Sequence, residues 1–154
     1  MATALTTNNK KNRVLFFDDD PFTVKSLTLN LGLLGWIVTF VSDIDEMFHE
    51  LNRNQYDILI LDIVAPVPEA GKCKYIEFLE SEIDKMDDGM LTGVVLAKKV
   101  WSMDNFKKIP VLFHSARSNP IPSDKELQNN NCVFIRKPEF AKNVNSKLLE
   151  MLNY

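Results

Sequence analysis

Five side chains suited to phosphoryl chemistry follow short apolar runs in this sequence. Asp18 and Asp19 follow Val14–Phe17, Asp62 follows Ile58–Leu61, Ser115 follows shortly after Ile109–Phe113, and Lys137 follows shortly after Cys132–Ile135. Three carboxylates brought within a few ångströms repel and raise one another's pKa values. A hard divalent cation resolves that conflict. Mg²⁺ takes oxygen ligands, keeps several waters, and is commonly held by one or two carboxylates plus a phosphate. A metal and an ammonium neutralise the equatorial oxygens of a transferring phosphoryl group, and a hydroxyl can hydrogen-bond one of them. Each residue alone has a plain structural explanation. Asp20 reads as only an N-cap, Asp18 and Asp19 as solvated loop acids, Asp62 as a turn residue before Ile63-Val64-Ala65-Pro66, Ser115 as a cap and Lys137 as a surface charge. What favours function is their joint placement, each closing a buried segment.

Elements of a defined kind must position them. Val14–Phe17 has the unbroken apolar character of a strand covered on both faces. Asp20 then Pro21 is a helix start, an N-cap followed by proline at the first helical position. Leu27, Leu31 and Leu34 recur at helical spacing, which predicts a helix to about Leu34 that Gly35 stops. Trp36–Val41 reads as a second strand. Ser42 with Asp45 reads as a capping box, opening a helix with Ile44, Met47, Phe48 and Leu51 inward. Ile58–Leu61 is a third strand, Thr92–Trp101 a helix, Ile109–Phe113 a fourth strand and Ser123–Asn129 a short helix. Cys132–Ile135 is a fifth strand, and Glu139–Leu152 a closing helix with Phe140, Val144, Leu148 and Met151 or Leu152 inward.

Strand–helix alternation of this kind predicts an α/β domain: a single doubly wound, three-layer unit on a five-stranded parallel sheet. Ligands in such sheets bind beyond the carboxyl ends of the strands, where the strand order reverses. In the order 2-1-3-4-5, strands one and three are neighbours there, and their acids converge with the lysine and the serine.

Composition agrees with one globular domain. The chain has 154 residues, 45% hydrophobic and 25% charged. The net charge is −3, so nucleic acid is not an expected partner. No apolar run approaches the ~20 residues of a membrane span. Residues 1–11 are polar, lack a secretory signal and read as a flexible tail, which together with the absent span points to the cytoplasm. Cys73 and Cys132 form no CxxC pair, and His49 and His114 have no ligand spacing to them. That argues for reduced thiols and against zinc.

The chain resembles the receiver domain of two-component response regulators, and the flavodoxin-like strand order agrees. Residues Val14–Pro21 are similar to the family's first strand and acidic pair. Tyr56–Pro66 resembles the phosphoacceptor strand, Ile109–Arg117 the strand bearing Ser/Thr then Ala, and Phe134–Pro138 the Lys-Pro strand end. The likeness spans residues 12–154 apart from one insertion. It implies that Asp62 accepts phosphate from a histidine kinase or a histidine phosphotransfer protein. It further implies that Asp18, Asp19, Asp62 and the backbone carbonyl of Val64 hold Mg²⁺. The resemblance also implies that Lys137 pairs with the phosphoryl group, that Ser115 turns toward it, and that Phe134 changes rotamer in response. The implied protein is a phosphoacceptor that catalyses only its own phosphorylation and dephosphorylation, and signals through a protein target.

Two segments depart from the family. Twenty-six residues separate Pro66 from Gly93, where a βα loop usually has ~2–6. This insertion, about 67–90, carries Ile76, Leu79, Ile83 and Met86 at helical spacing. It reads as an extra helix packed on the domain's shoulder, or as a lid or partner-docking helix that alters access to Asp62. Pro120, Pro122 and Asn129–Asn131 suggest a short, irregular fourth helix.

Three other functions compete. A haloacid-dehalogenase-like phosphatase would use Asp18 as nucleophile in a D-x-D pattern, but Pro21-Phe22 stands where Gly-Thr is usual, and Asp62 has no task. A receiver-fold binding module that is never phosphorylated would leave the residue set unexplained. A flavodoxin phosphate loop would be rich in Gly and hydroxyls rather than Asp-Asp-Asp-Pro.

Overall fold

The computed structural model describes residues 10–65, 91–116 and 125–153. Five strands form one parallel sheet: β1 (Arg13–Phe17), β2 (Ile37–Val41), β3 (Ile58–Leu61), β4 (Val111–Ser115) and β5 (Cys132–Arg136). Their order is β2-β1-β3-β4-β5, as the alternation predicts. The helices are α1 (Pro21–Leu33), α2 (Ile44–Arg53), α3 (Thr92–Trp101), α4 (Lys125–Asn129) and α5 (Ala141–Met151), with a 3₁₀ turn at Asp104–Phe106.

Strand side chains alternate between two cores. Leu15, Phe17, Leu59, Leu61, Val111 and Phe113 pack toward α2 and α3. Val14, Phe16, Ile58, Ile60 and Leu112 pack toward α1 and α5. Val14–Phe17 of β1, β3 and the apolar part of β4 are buried throughout, which is why they read as unbroken hydrophobic runs.

Helix starts explain where the chain turns back. Asp20 caps α1, its carboxylate accepting from the Phe22 N–H at 3.1 Å, and Pro21 opens the helix. Gly35 follows with φ +102, a backbone state glycine reaches without steric cost.

Several expectations shift. The cap of α2 is Asp43, which accepts from the Glu46 N–H at 3.0 Å; Ser42 lies one residue too early. The inner stripe of α1 is Val24, Leu27 and Leu31, with Leu34 half exposed at the C-cap. β4 begins at Val111, since Pro110 has no N–H for the ladder, and it runs on through His114 and Ser115. β5 pairs with it as far as Arg136. Phe140 sits at the N-cap of α5 in extended conformation, 80% exposed, while Val144, Leu148 and Met151 face inward. The tail at 1–9, the segment about 67–90 with Cys73, and Pro120, Pro122 and Ser123 lie outside the described residues. Cys132 is half buried, and its thiol bonds the Leu127 carbonyl at 3.2 Å. Among the described residues no helix is long and apolar enough to cross a membrane.

Candidate functional site

The ends of β1 and β3 are tied together by the backbone. The Asp62 N–H donates to the Phe17 carbonyl at 3.0 Å, and the Asp18 N–H to the Val41 carbonyl at 3.2 Å. These bonds extend the sheet one step and bring the acids side by side. Asp18, Asp19 and Asp62 each offer a carboxylate oxygen within 4.8 Å of the others. Asp18 and Asp62 are buried, and Asp19 is exposed.

Lys137 crosses to them from the end of β5. Its backbone N–H donates to the Ser115 carbonyl at 2.8 Å. Its Nζ donates to Asp18 Oδ2 at 2.5 Å and to Asp62 Oδ2 at 3.3 Å. The other oxygen of Asp18 accepts from the Asp20 N–H at 2.9 Å, so both Asp18 oxygens are engaged. Asp62 Oδ1 accepts from the Val64 N–H at 3.3 Å. Ser115 is buried at the end of β4, and Phe134 is half buried on β5, paired with Phe113.

Burial is the leading influence on the acids. Desolvation and the neighbouring Asp18 charge raise Asp62 to a pKa of about 6, against the pull of Lys137. Desolvation likewise raises Asp18, opposed by its hydrogen bonds from Lys137 and Asp20. Desolvation works against the Lys137 ammonium, but Asp18 and Asp62 outweigh it and raise its pKa. One ammonium therefore leaves the three carboxylates under-compensated. Oxygen donors of this number and kind fit a hard divalent cation.

The site has a constraint that is faint in the sequence. A Cβ on Gly93, in the first turn of α3, would stand 2.1 Å from the Asp62 carbonyl oxygen. The Gly93 N–H also donates to the Ile63 carbonyl at 2.9 Å. A glycine inside a helical pattern is unfavourable relative to alanine, so its presence there is a clue to a packing reason. Gly93→Ala is expected to lower stability by about 1–3 kcal/mol and to displace the Asp62 backbone. Denaturant midpoints check this, and a variant as stable as the parent would contradict the close approach.

The acids and Lys137 stand at one end of a cleft of about 840 Å³ that continues between α1 and the start of α5. His114 lines it as well. The sequence reading assigned that histidine no role.

No family model and no curated protein matches the chain. Solved structures do. The chemotaxis response regulator CheY4 of Vibrio cholerae is 18% identical, with TM-score 0.67 over 92% of this chain and 98% of that one. A putative response regulator from Chloroflexus aurantiacus is 21% identical, with TM-score 0.66 over 94% and 100%. The chain has the receiver-domain fold. A third neighbour is the receiver domain of a sensor histidine kinase from Pseudomonas aeruginosa, solved with magnesium coordinated in its active-site cleft. It is 19% identical, with TM-score 0.65 over 94% of this chain and 99% of that one. Many further neighbours are CheY-like receivers, and the receiver fold here spans most of the chain.

Proposed function

We propose that this receiver-fold protein is a phosphorylation switch in which Asp62 accepts a phosphoryl group. The observation that carries this reading is the joining of Asp18, Asp19 and Asp62 within 4.8 Å, with Lys137 bridging two of them. A phosphohistidine of a kinase or phosphotransfer protein is the donor. An Asp62 carboxylate oxygen forms the new bond to phosphorus while the bond from phosphorus to the donor's imidazole nitrogen breaks. The Lys137 ammonium, already beside that carboxylate, neutralises charge on the phosphoryl oxygens. Asp18 accepts from Lys137 and holds it in place. Mg²⁺, held by Asp19, Asp62, Asp18 and the Val64 carbonyl, supplies further charge neutralisation when bound. Ser115 turns toward the phosphoryl group and Phe134 follows, which carries the change to a protein target. The chain acts in the cytoplasm, without nucleic acid or membrane, and its only chemistry is its own phosphorylation and dephosphorylation.

The phosphatase reading fits less well. Asp18, its nucleophile, is fully buried with both oxygens closely held, at 2.9 Å by Asp20 and at 2.5 Å by Lys137, against 3.3 Å for both bonds to Asp62.

Magnesium binding tests the proposal. Ionised Asp62 is the ligand form, and its pKa is about 6. Affinity measured by calorimetry is therefore expected to fall as the pH drops through about 6. Stability should show the opposite slope in chelator. The folded-state pKa lies above the unfolded value of about 3.9, so the folded protein binds the extra proton. Stability is then fully present below about pH 4 and declines as the pH rises to about 6, by roughly 2–3 kcal/mol from this group. Saturating Mg²⁺ removes the decline. Absence of magnesium binding at neutral pH would overturn the reading.

A further inference from the structure

Helix α1 is apolar on two opposite faces. Val24, Leu27 and Leu31 form its buried stripe. Phe22, Leu29 and Leu33 form a second stripe. At about 3.6 residues per turn these three fall within about 40° of one another, opposite the first stripe. They are 88%, 61% and 84% exposed, and together with Phe140 they are the most exposed large apolar side chains among the described residues. Lys25 is the only charged residue in the helix. A surface helix ordinarily turns a polar face to water, whereas a contiguous apolar stripe there marks a contact surface.

The stripe is complementary to itself. Ser26 lies within it, so its large members are interrupted by one small one. Two copies of α1 laid antiparallel about a two-fold axis set Phe22 against Leu33 of the second copy, and Ser26 against Leu29. Large then meets small at the centre of the contact. A parallel pair would set Ser26 on Ser26 and leave a gap. It would also bring Asp18, Asp19 and Asp20 of both copies, at the N-terminal end of α1, to one end of the contact, where like charges repel. The antiparallel pair keeps these acids apart by about 20 Å, the length of the 13-residue helix. Phe22, Leu29 and Leu33 offer on the order of 400 Å² in each copy, and the exposed Lys25, Asn30 and Leu34 beside them bring the sum over two copies above about 1,000 Å², which a specific interface needs. A phosphodonor protein fits the whole stripe less well. It must reach Asp62 at the N-terminal end of α1, and Leu33 stands about 18 Å away along the helix.

We propose that the protein self-associates through the outer stripe of α1, as an antiparallel two-fold pair centred between Ser26 and Leu29. The contact is isologous, so it closes on itself as a dimer. It does not depend on phosphorylation of Asp62. Ser26 belongs both to the stripe and to the wall of the cleft, so the second copy borders the cleft that leads to Asp62.

Sedimentation equilibrium of the full, unphosphorylated chain tests this. The average mass is expected to rise from that of one chain toward twice that value, with a dissociation constant on the order of tens of micromolar, the weak end for an interface of this size. Phe22→Glu and Leu33→Lys should each weaken the dimer at least about tenfold, since each places a charge in the apolar contact. Both positions are exposed, so urea midpoints should stay near the parent's. Mixing the two variants should recover most of the affinity, because a carboxylate then meets an ammonium at one end and the native pair remains at the other. Ile37→Glu changes an exposed apolar residue on β2, outside the stripe, and should dimerise as the parent does. A parent that stays monomeric at about 500 μM overturns the proposal. So does parent-like affinity in Phe22→Glu or Leu33→Lys, a mixture no tighter than its components, or equal weakening by Ile37→Glu. None of these outcomes bears on phosphate uptake by Asp62, which is measured separately.

Discussion

Asp62→Asn is expected to abolish uptake of phosphate from acetyl phosphate in the presence of Mg²⁺. The substitution keeps the shape of the side chain but removes the nucleophilic oxygen and one metal ligand. Asp62 is the acid placed for this role. It is buried, and its two oxygens are held loosely, at 3.3 Å each, by the Val64 N–H and by Lys137. Asp18 is held more closely at both oxygens, at 2.9 Å by Asp20 and at 2.5 Å by Lys137. Asp18→Asn should therefore slow labelling without abolishing it. Radiolabel uptake in the two variants separates the readings. Labelling that survives in Asp62→Asn and vanishes in Asp18→Asn would favour the phosphatase.

Lys137→Met should have two large effects. The first is on stability. Asp18 has no exposure to water, and the Lys137 ammonium is the cation that faces it and Asp62. Removing one partner of such a buried pair costs about 3–5 kcal/mol, because the remaining charge is left uncompensated. Urea unfolding in chelator measures this. Mg²⁺ should restore part of the loss, since it supplies the missing positive charge. Acidification should restore part as well, since Asp62, raised by burial and without the lowering pull of Lys137, then takes up a proton more readily than in the parent. The second effect is on phosphorylation. Loss of one preorganised charge beside the transferring group is worth on the order of 10²–10³ in rate. A variant as stable as the parent in chelator, and labelled as fast, would mean that the ammonium is not engaged in solution.

Most of the fold was legible because burial on both faces leaves an unmistakable trace. β1 and β3 are runs of apolar residues ended by Asp, and both are found where expected. Pro21 after Asp20 marked the start of α1 for a reason the geometry bears out. The juxtaposition of Asp18, Asp19 and Asp62 was legible because these acids follow those same strands. Boundaries were harder where two local signals compete. Ser42 and Asp43 are both good caps, and only the backbone path shows that Asp43 reaches the Glu46 N–H. Phe140 sits at helical spacing from Val144, yet it lies one residue before the helix begins and points to water. Gly93 was hard to read for a different reason. Its significance depends on what stands opposite in space, the Asp62 carbonyl.

The most direct measurement is mapping, by mass spectrometry, of the residue modified when the unaltered chain is incubated with Mg²⁺ and acetyl phosphate. A single phosphoryl group on the peptide containing Asp62, absent when Mg²⁺ is chelated, is the expected result. Modification at Asp18, or none under conditions where magnesium binds, would contradict phosphoryl acceptance by Asp62.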